Sequence, residues 1–234
     1  MTEIVLVHGA WHGAFCWQKV RGFLEERGHT VRTPELPLSE GLDSYVATVL
    51  GEIESCHDPV VLVGHSMAGA VISLVAEARP NRIARLVYLA AFAPLDGESI
   101  NDKARLSFAT ALRDNMEVND EGLVTVKPAV IPSAFYHDCD DSDIDVAIRQ
   151  LRPQNPAAFT EKLSLTADRF GCVPKQYIEC IEDQAIHVSL QRRMAQEAGC
   201  TLINSMRTSH SPFFSAPAGL GALIARIGIK DTKI

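Results

Sequence analysis

The 234-residue sequence has no run of four or more lysines and arginines, and its formal net charge is −7. Nucleic acid and anionic membranes attract clustered cations, so neither is an expected partner. No apolar stretch reaches the roughly 18 residues that a membrane-spanning helix needs, and none of the strand-like segments is preceded by a basic leader of the secretory type. The six cysteines (Cys16, Cys56, Cys139, Cys172, Cys180 and Cys200) include no C-x-x-C pair and have no histidine at ligand spacing. That excludes a zinc site and a dithiol redox motif and predicts free, mostly buried thiols in a reducing, cytoplasmic setting. Internal repeats and low-complexity tracts are missing too. With 47% hydrophobic residues, the expectation is one domain around one core.

What is present is an alternation of two periods. Residues 4–7 (IVLV) form a continuous apolar run of the kind found in parallel strands covered on both faces. Residues 15–27 put Val20, Phe23 and Leu24 on one helical side, with Gly28 at the stop position. A second strand is expected over 29–33. Residues 42–56 repeat Leu42, Val46, Val49 and Ile53 on one helical face. Residues 60–63 read as the third strand, 67–78 as a helix and 85–90 as the fourth strand. Further on, 176–181 and 201–204 resume as strands, with a helix at 189–198 between them and a closing helix over 212–227. Such alternation predicts an α/β fold, a mostly parallel sheet with helices on both faces.

The pattern breaks after Pro94. Residues 95–170 are polar and irregular, with an acidic run over 138–143, yet Phe108, Met116, Phe135, Tyr136 and Phe159 give them apolar surface with which to dock. The expected organisation is therefore a core of residues 1–94 and 171–234 with a cap of residues 95–170 over the site. The acidic run reads as a solvated helix start, since its spacing does not match a calcium loop.

One junction stands out. In VVLVGHSMAGAVISLVAE (residues 60–77), a buried-type strand passes through Gly64-His65-Ser66-Met67-Ala68 into a helix, a variant of the G-x-S-x-G turn. Small flanking residues let strand and helix approach closely, and the serine is lifted above the sheet edge at a helix N-terminus, where free N–H groups face developing negative charge. A serine there can also act as a plain helix cap. As a nucleophile it needs a base, itself oriented by an acid, supplied in chain order by loops after later strands. Glu182 and Asp183 follow one strand, and neighbouring carboxylates cannot be separated on loop position alone. His210 lies between the last strand and the last helix, whereas His8, His12 and His65 come too early in the chain for the base role. The loop after the first strand, His8-Gly9-Ala10-Trp11-His12-Gly13, is placed to turn the Ala10 N–H inward beside that of Met67 as a pair of oxyanion donors. Trp11, Met67, Phe92, Phe135 and Phe159 are candidate walls of a small apolar substrate pocket.

These stretches are similar to the α/β-hydrolase group that contains plant methylesterases, hydroxynitrile lyases and bacterial pyrethroid hydrolases. The resemblance runs through IVLVHGAWHG, LVGHSMAGA, LVYLAAFAP, RFGCVPKQYIECIEDQAIHVSLQ and SHSPFF. It implies a six-stranded, mostly parallel core under a small cap, no cofactor or metal, a homodimer in many members, and Asp183 as the orienting acid, eight residues before Gln191. The lyases of this group carry threonine where Gly9 stands, cysteine where Met67 stands and lysine where Ser211 stands, so the resemblance favours the esterase side. The expected function is a serine carboxylesterase for a small, largely apolar ester, using Ser66, Asp183 and His210. Cyanohydrin cleavage and small-molecule binding with weak turnover are the rival readings.

Overall fold

A computed structural model describes residues 1–107, 112–201 and 203–228. Its strands are β1 (Glu3–Val7), β2 (Thr30–Arg32), β3 (Val60–His65), β4 (Ile83–Leu89), β5 (Met116–Val118), β6 (Val124–Val126), β7 (Lys175–Cys180) and β8 (Ile203–Met206). Six of them form one sheet in the order β2-β1-β3-β4-β7-β8, with every neighbouring pair parallel. Burial explains the composition: β3 is buried along its whole length and β1 from Ile4 onward, so neither can show the polar alternation of a half-exposed strand. The helices α1 (Gln18–Glu25), α2 (Leu42–Glu54) and α3 (Ala68–Ala78) follow the first three strands. α2 packs on α3, and α1 packs on the C-terminal helix α10 (Pro217–Gly228).

The departures from the expected elements have local causes. Gly28, at φ +80°, does stop the first helix, but that helix enters through a 3₁₀ turn over Ala14–Trp17. The closing helix is two pieces, α9 (Pro212–Ser215) and α10, because Pro217 offers no N–H and drives Ala216 out of helical geometry, at φ −141° and ψ 51°. The last strand runs over Ile203–Met206, not 201–204, since its ladder with β7 continues to the Cys180–Met206 pair. Leu202 and Phe108 lie outside the described residues.

The segment between β4 and β7 is better ordered than its composition suggests. β5 and β6 form an antiparallel hairpin, whose turn is held by Asn119 Oδ1 accepting the Glu121 and Leu123 N–H groups, with Gly122 at φ +77°. Around it lie the helices α4 (Ile100–Ala104), α5 (Ile131–Phe135), α6 (Asp141–Gln150) and α7 (Ala157–Thr160). The acidic run supplies Asp141 and Asp143 to the first turn of α6, on the positive end of the helix. It is not merely solvated, because Asp143 binds Lys19 at 2.6 Å and Asp138 accepts the Ser209 N–H at 2.9 Å.

Specific contacts fasten this insert to the core. Lys103 is 1% exposed and sits 2.7 Å from both Glu98 and Glu197, the latter on α8 (Val188–Glu197). Glu77 on α3 accepts the Thr166 N–H, the Thr166 hydroxyl and the Phe170 N–H. The Trp11 indole donates to the Val124 carbonyl at 3.0 Å.

The tightest packing is where α3 leaves β3. A Cβ built on Gly69 lies 2.0 Å from the Phe92 carbonyl oxygen, and one on Gly64 lies 2.7 Å from the Ala68 carbonyl oxygen. Backbone meets backbone at both places, so no rotamer change relieves the clash. Gly69→Ala is accordingly expected to cost about 3 kcal/mol in urea unfolding, the upper end of ordinary overpacking penalties. Gly51→Ala, within α2 with nothing inside 4 Å of the added methyl, should be neutral or stabilise by up to about 1 kcal/mol. Equal effects of the two substitutions would contradict the close-approach reading.

Candidate active site

Ser66 follows β3 directly and adopts φ +55°, a left-handed conformation that a non-glycine residue holds only when its surroundings enforce it. Here they do. The Ser66 N–H donates to the Leu89 carbonyl at 3.2 Å, and the Ser66 carbonyl accepts the Phe92 N–H at 3.0 Å and the Gly69 N–H at 3.1 Å. The end of β4 is itself fixed: the Tyr177 hydroxyl accepts the Ala91 N–H at 2.8 Å and donates to the Ala91 carbonyl at 2.6 Å. Ala90 (φ +41°) and Trp11 (φ +62°) share the left-handed conformation, so the three described non-glycine residues with positive φ all border this region. Ala68, where the G-x-S-x-G pattern has its second glycine, is fully buried with its methyl accommodated. Within this turn, Gly64 and Gly69 are the positions where an added Cβ would meet backbone.

Two further strands bring an acid and an imidazole together. Asp183, after β7, accepts the Ala185 and Ile186 N–H groups on Oδ1 at 2.7 and 2.9 Å. Its Oδ2 accepts Gln191 Nε2 at 3.0 Å and lies 2.7 Å from His210 Nδ1. Nδ1 of His210 therefore carries the proton and Nε2 the free lone pair. The two N–H bonds of Gln191 Nε2 are shared among Asp183 and the Cys180 and Ile186 carbonyls, and its Oε1 accepts the Cys180 N–H, so one buried amide binds the acid-bearing loop to β7. Glu182, the other carboxylate of this loop, points to Arg207 at 2.7 Å. The Ser66 hydroxyl has no hydrogen bond to His210 in this structure. His65, the residue before Ser66, has its ring 4.5 Å from that of His210, and its Nε2–H donates to the His210 carbonyl at 2.9 Å.

Ser66 opens into a cavity of about 100 Å³ between the core and the insert. Ala10 and Met67 line it, and among the described residues neither of their N–H groups has a hydrogen-bond partner. Two unpaired N–H groups beside a hydroxyl can accept negative charge developing on a bound oxygen. Of the sequence-derived wall residues, Trp11, Met67, Phe92 and Phe159 line the cavity, together with Ile100, Ala104, Leu112, Met116, Ile186 and Leu190. Phe135 does not. It is 1% exposed, with its ring 6.0 Å from Trp11 and 5.7 Å from His210, so it backs the wall rather than forming it. Ile100 and Ala104 stand one turn apart on α4, a spacing that marks a helix face, but a five-residue helix is too short for that period to register in sequence.

Three other buried histidines pack close by. Burial holds the His8 pKa down to about 3 and that of His12 down to about 4, and puts that of His65 well below the usual imidazole value. Their bonds fit neutral rings. His8 Nδ1–H donates to the Gly9 carbonyl while Nε2 accepts the Leu36 N–H. His12 Nδ1–H donates to the Ala10 carbonyl while Nε2 accepts the Tyr136 hydroxyl.

Residues 4–223 match the model of the Alpha/beta hydrolase family. Methylesterase 7 of Arabidopsis thaliana is 31% identical over 97% of this chain and 96% of its own length. Putative methylesterase 11, chloroplastic, from the same plant is 30% identical over 97% of this chain, which spans 64% of that longer protein. Among solved structures, a pyrethroid hydrolase from Sphingobium faniae JZ-2 superposes with a TM-score of 0.87 at 24% identity, covering 100% of this chain and 99% of its own, a likeness of fold.

The neutral histidines set a pH dependence. An unfolded imidazole takes up a proton near pH 6.5, whereas His8 and His12 in the folded chain do so only near 3 and 4. Above 6.5 their contribution to stability is fully present. Below it the unfolded chain binds protons that the folded chain refuses, and stability falls until the folded values are reached. Between pH 7 and pH 5 the pair should remove about 4 kcal/mol, at 1.36 kcal/mol per unit of difference for each ring. Urea midpoints at the two pH values measure this, and a midpoint that is unchanged or higher at pH 5 would overturn it.

Proposed function

Because the chain belongs to the alpha/beta hydrolase family, we propose that it is a serine carboxylesterase acting on a small, largely apolar ester. The observation that carries this reading is the convergence at one cavity: a serine with a strained backbone, its hydroxyl without a hydrogen bond among the described residues, beside the N–H groups of Ala10 and Met67, which are unpaired among the same residues. It is supported by the His210 imidazole, which lies on the ring of His65, next to Ser66 in the chain, and whose Nδ1–H is bound to a buried carboxylate. In the reaction, Ser66 Oγ forms a bond to the ester carbonyl carbon as His210 Nε2 takes its proton. Asp183 keeps the ring in the Nδ1–H tautomer and stabilises the imidazolium, and Ala10 and Met67 hold the oxyanion. The C–O bond to the alcohol then breaks, with the proton passing from Nε2 to the departing oxygen. Water activated by the same nitrogen releases the acid and restores Ser66. In the structure the Ser66 hydroxyl is not yet on Nε2, a looseness common before substrate binds.

The 95–170 segment acts as the cap, since α4, Leu112, Met116 and Phe159 close the cavity from that side. The cavity's size and apolar walls suit a short acyl or aromatic group, and the names of the plant relatives support a methyl ester as the leaving side. The lyase reading is disfavoured by Gly9: a Cβ there lies 2.9 Å from Ser66 Cβ, so this chain has no room for the threonine of the lyases. It is disfavoured also by Ser211, a neutral and fully buried residue where those enzymes place a cation. Six free thiols suit a reducing compartment such as the cytoplasm.

p-Nitrophenyl acetate hydrolysis tests the assignment. Ser66→Ala and His210→Ala should each lower kcat by about three orders of magnitude or more while KM changes little. A serine-directed phosphonate should label Ser66 in the wild type. A Ser66→Ala protein within about tenfold of wild type would remove the nucleophile assignment.

A further inference from the structure

The strongest unassigned feature is a fully buried chain of hydrogen bonds from the cap to the loop that supplies one of the two cavity N–H groups. Tyr136 (0% exposed), just beyond α5, donates its hydroxyl to His12 Nε2 at 2.7 Å, and His12 (1% exposed) donates Nδ1–H to the Ala10 carbonyl at 2.8 Å. The donor directions are forced. A neutral imidazole has one N–H, and a carbonyl can only accept, so Nδ1 carries the proton and Nε2 must receive the tyrosine O–H. The loop's next two carbonyls are taken by the cap as well: Arg152 N–H donates to the Trp11 carbonyl at 2.8 Å, and Arg152 Nη2 donates to the His12 carbonyl at 3.0 Å.

The consequence is conformational. Trp11 sits at φ +62°, a conformation that a bulky L-residue abandons unless its flanking peptides are tied. The Ala10 N–H belongs to the Gly9–Ala10 peptide, whose carbonyl accepts His8 Nδ1–H at 2.9 Å; the peptide on the other side of the same Cα is held by His12 on the Ala10 carbonyl, so both planes that fix Ala10 are tied, the second one through the cap. We propose that Tyr136 and His12 are a positioning pair through which the docked cap sets the Ala10 N–H for the oxyanion. Neither residue touches the substrate in this scheme. It rests on the esterase reading and adds that the cap does more than close the cavity: it helps build the charge-binding half of the site.

The test separates positioning from mere structural support. Tyr136→Phe removes one oxygen and little packing. It should lower kcat for p-nitrophenyl acetate about tenfold with KM within twofold, as expected for an oxyanion donor displaced rather than removed. Affinity for an aryl trifluoromethyl ketone, which forms a serine-bound oxyanion, should weaken by the same factor. Affinity for the matching methyl ketone, which reports only the apolar pocket, should not move. His12→Ala should cost more, about a hundredfold, and His12→Asn, whose amide N–H can reach the Ala10 carbonyl, should recover at least tenfold of that loss. The proposal is overturned if Tyr136→Phe keeps wild-type kcat within twofold. It is equally overturned if kcat falls with no change in trifluoromethyl ketone affinity, or if both ketones weaken alike. Should Tyr136→Phe fail to fold, the His12→Ala and His12→Asn pair decides by the same ratio of ketone affinities. A wild type that neither turns over the ester nor is labelled at Ser66 overturns the esterase reading itself, an outcome distinct from all of these.

Discussion

The site depends on one close approach, that of the first turn of α3 to the end of β4. No side chain fits at Gly69, because its Cβ would overlap the Phe92 carbonyl. That contact brings the Phe92 N–H onto the Ser66 carbonyl while the Leu89 carbonyl takes the Ser66 N–H. The left-handed serine is thus clasped on both peptide faces by a neighbouring strand. The strain of order 1–3 kcal/mol that such a conformation carries is offset by a sheet whose central strands are completely buried. Tyr177, through its two bonds to Ala91, transmits the rigidity of β7 to the same corner. The rigid sheet, rather than any loop, holds the hydroxyl in place.

Charge is controlled by what is kept neutral. Four imidazoles lie within a few residues or one ring of one another, and three of them, His8, His12 and His65, are held uncharged by burial. Had they been free to protonate, each would oppose the imidazolium that the proposed reaction forms on His210. His210 differs in having a carboxylate on Nδ1, and that carboxylate is already engaged by two backbone N–H groups and the Gln191 amide. A buried acid with four donors around it has little freedom to rotate away, so the tautomer of His210 is fixed before any substrate arrives.

The parts of this arrangement that were legible in the sequence share a property: their signal is local. The apolar run over 60–63, the small residues around Ser66 and the glycine at 28 are each dictated by the geometry of a few neighbouring residues. The alternation of strands and helices followed from those periods, as did the parallel sheet. Adjacent carboxylates at 182 and 183 could not be ranked from spacing, because what separates them is the turn after β7, which aims one at His210 and the other at Arg207. The β5–β6 hairpin escaped notice because three-residue strands carry no usable alternation. Phe135 illustrates a further limit, since hydrophobicity marks a residue as buried without saying whether it faces a cavity or stands behind its wall.

The Tyr136–His12 contact joins residues 124 apart in the chain, and no spacing rule connects them. It exists because the insert docks, and the insert docks through contacts remote from the site: Lys103 between two glutamates, Glu77 on the 166–170 turn, the Trp11 indole on Val124. This ordering of dependence has a physical implication. If the cap orients the Ala10 peptide, the oxyanion donors are not equivalent. The Met67 N–H belongs to the start of α3, whereas Ala10 is held by His8 on one side and depends on the cap on the other. A cap that loosens would then remove half of the proposed charge stabilisation while leaving the proposed nucleophile, base and acid in register. Enzymes built on this plan would lose rate before they lose the ability to be labelled at serine, and sequence change within the cap would tune turnover without touching a residue that meets the ester.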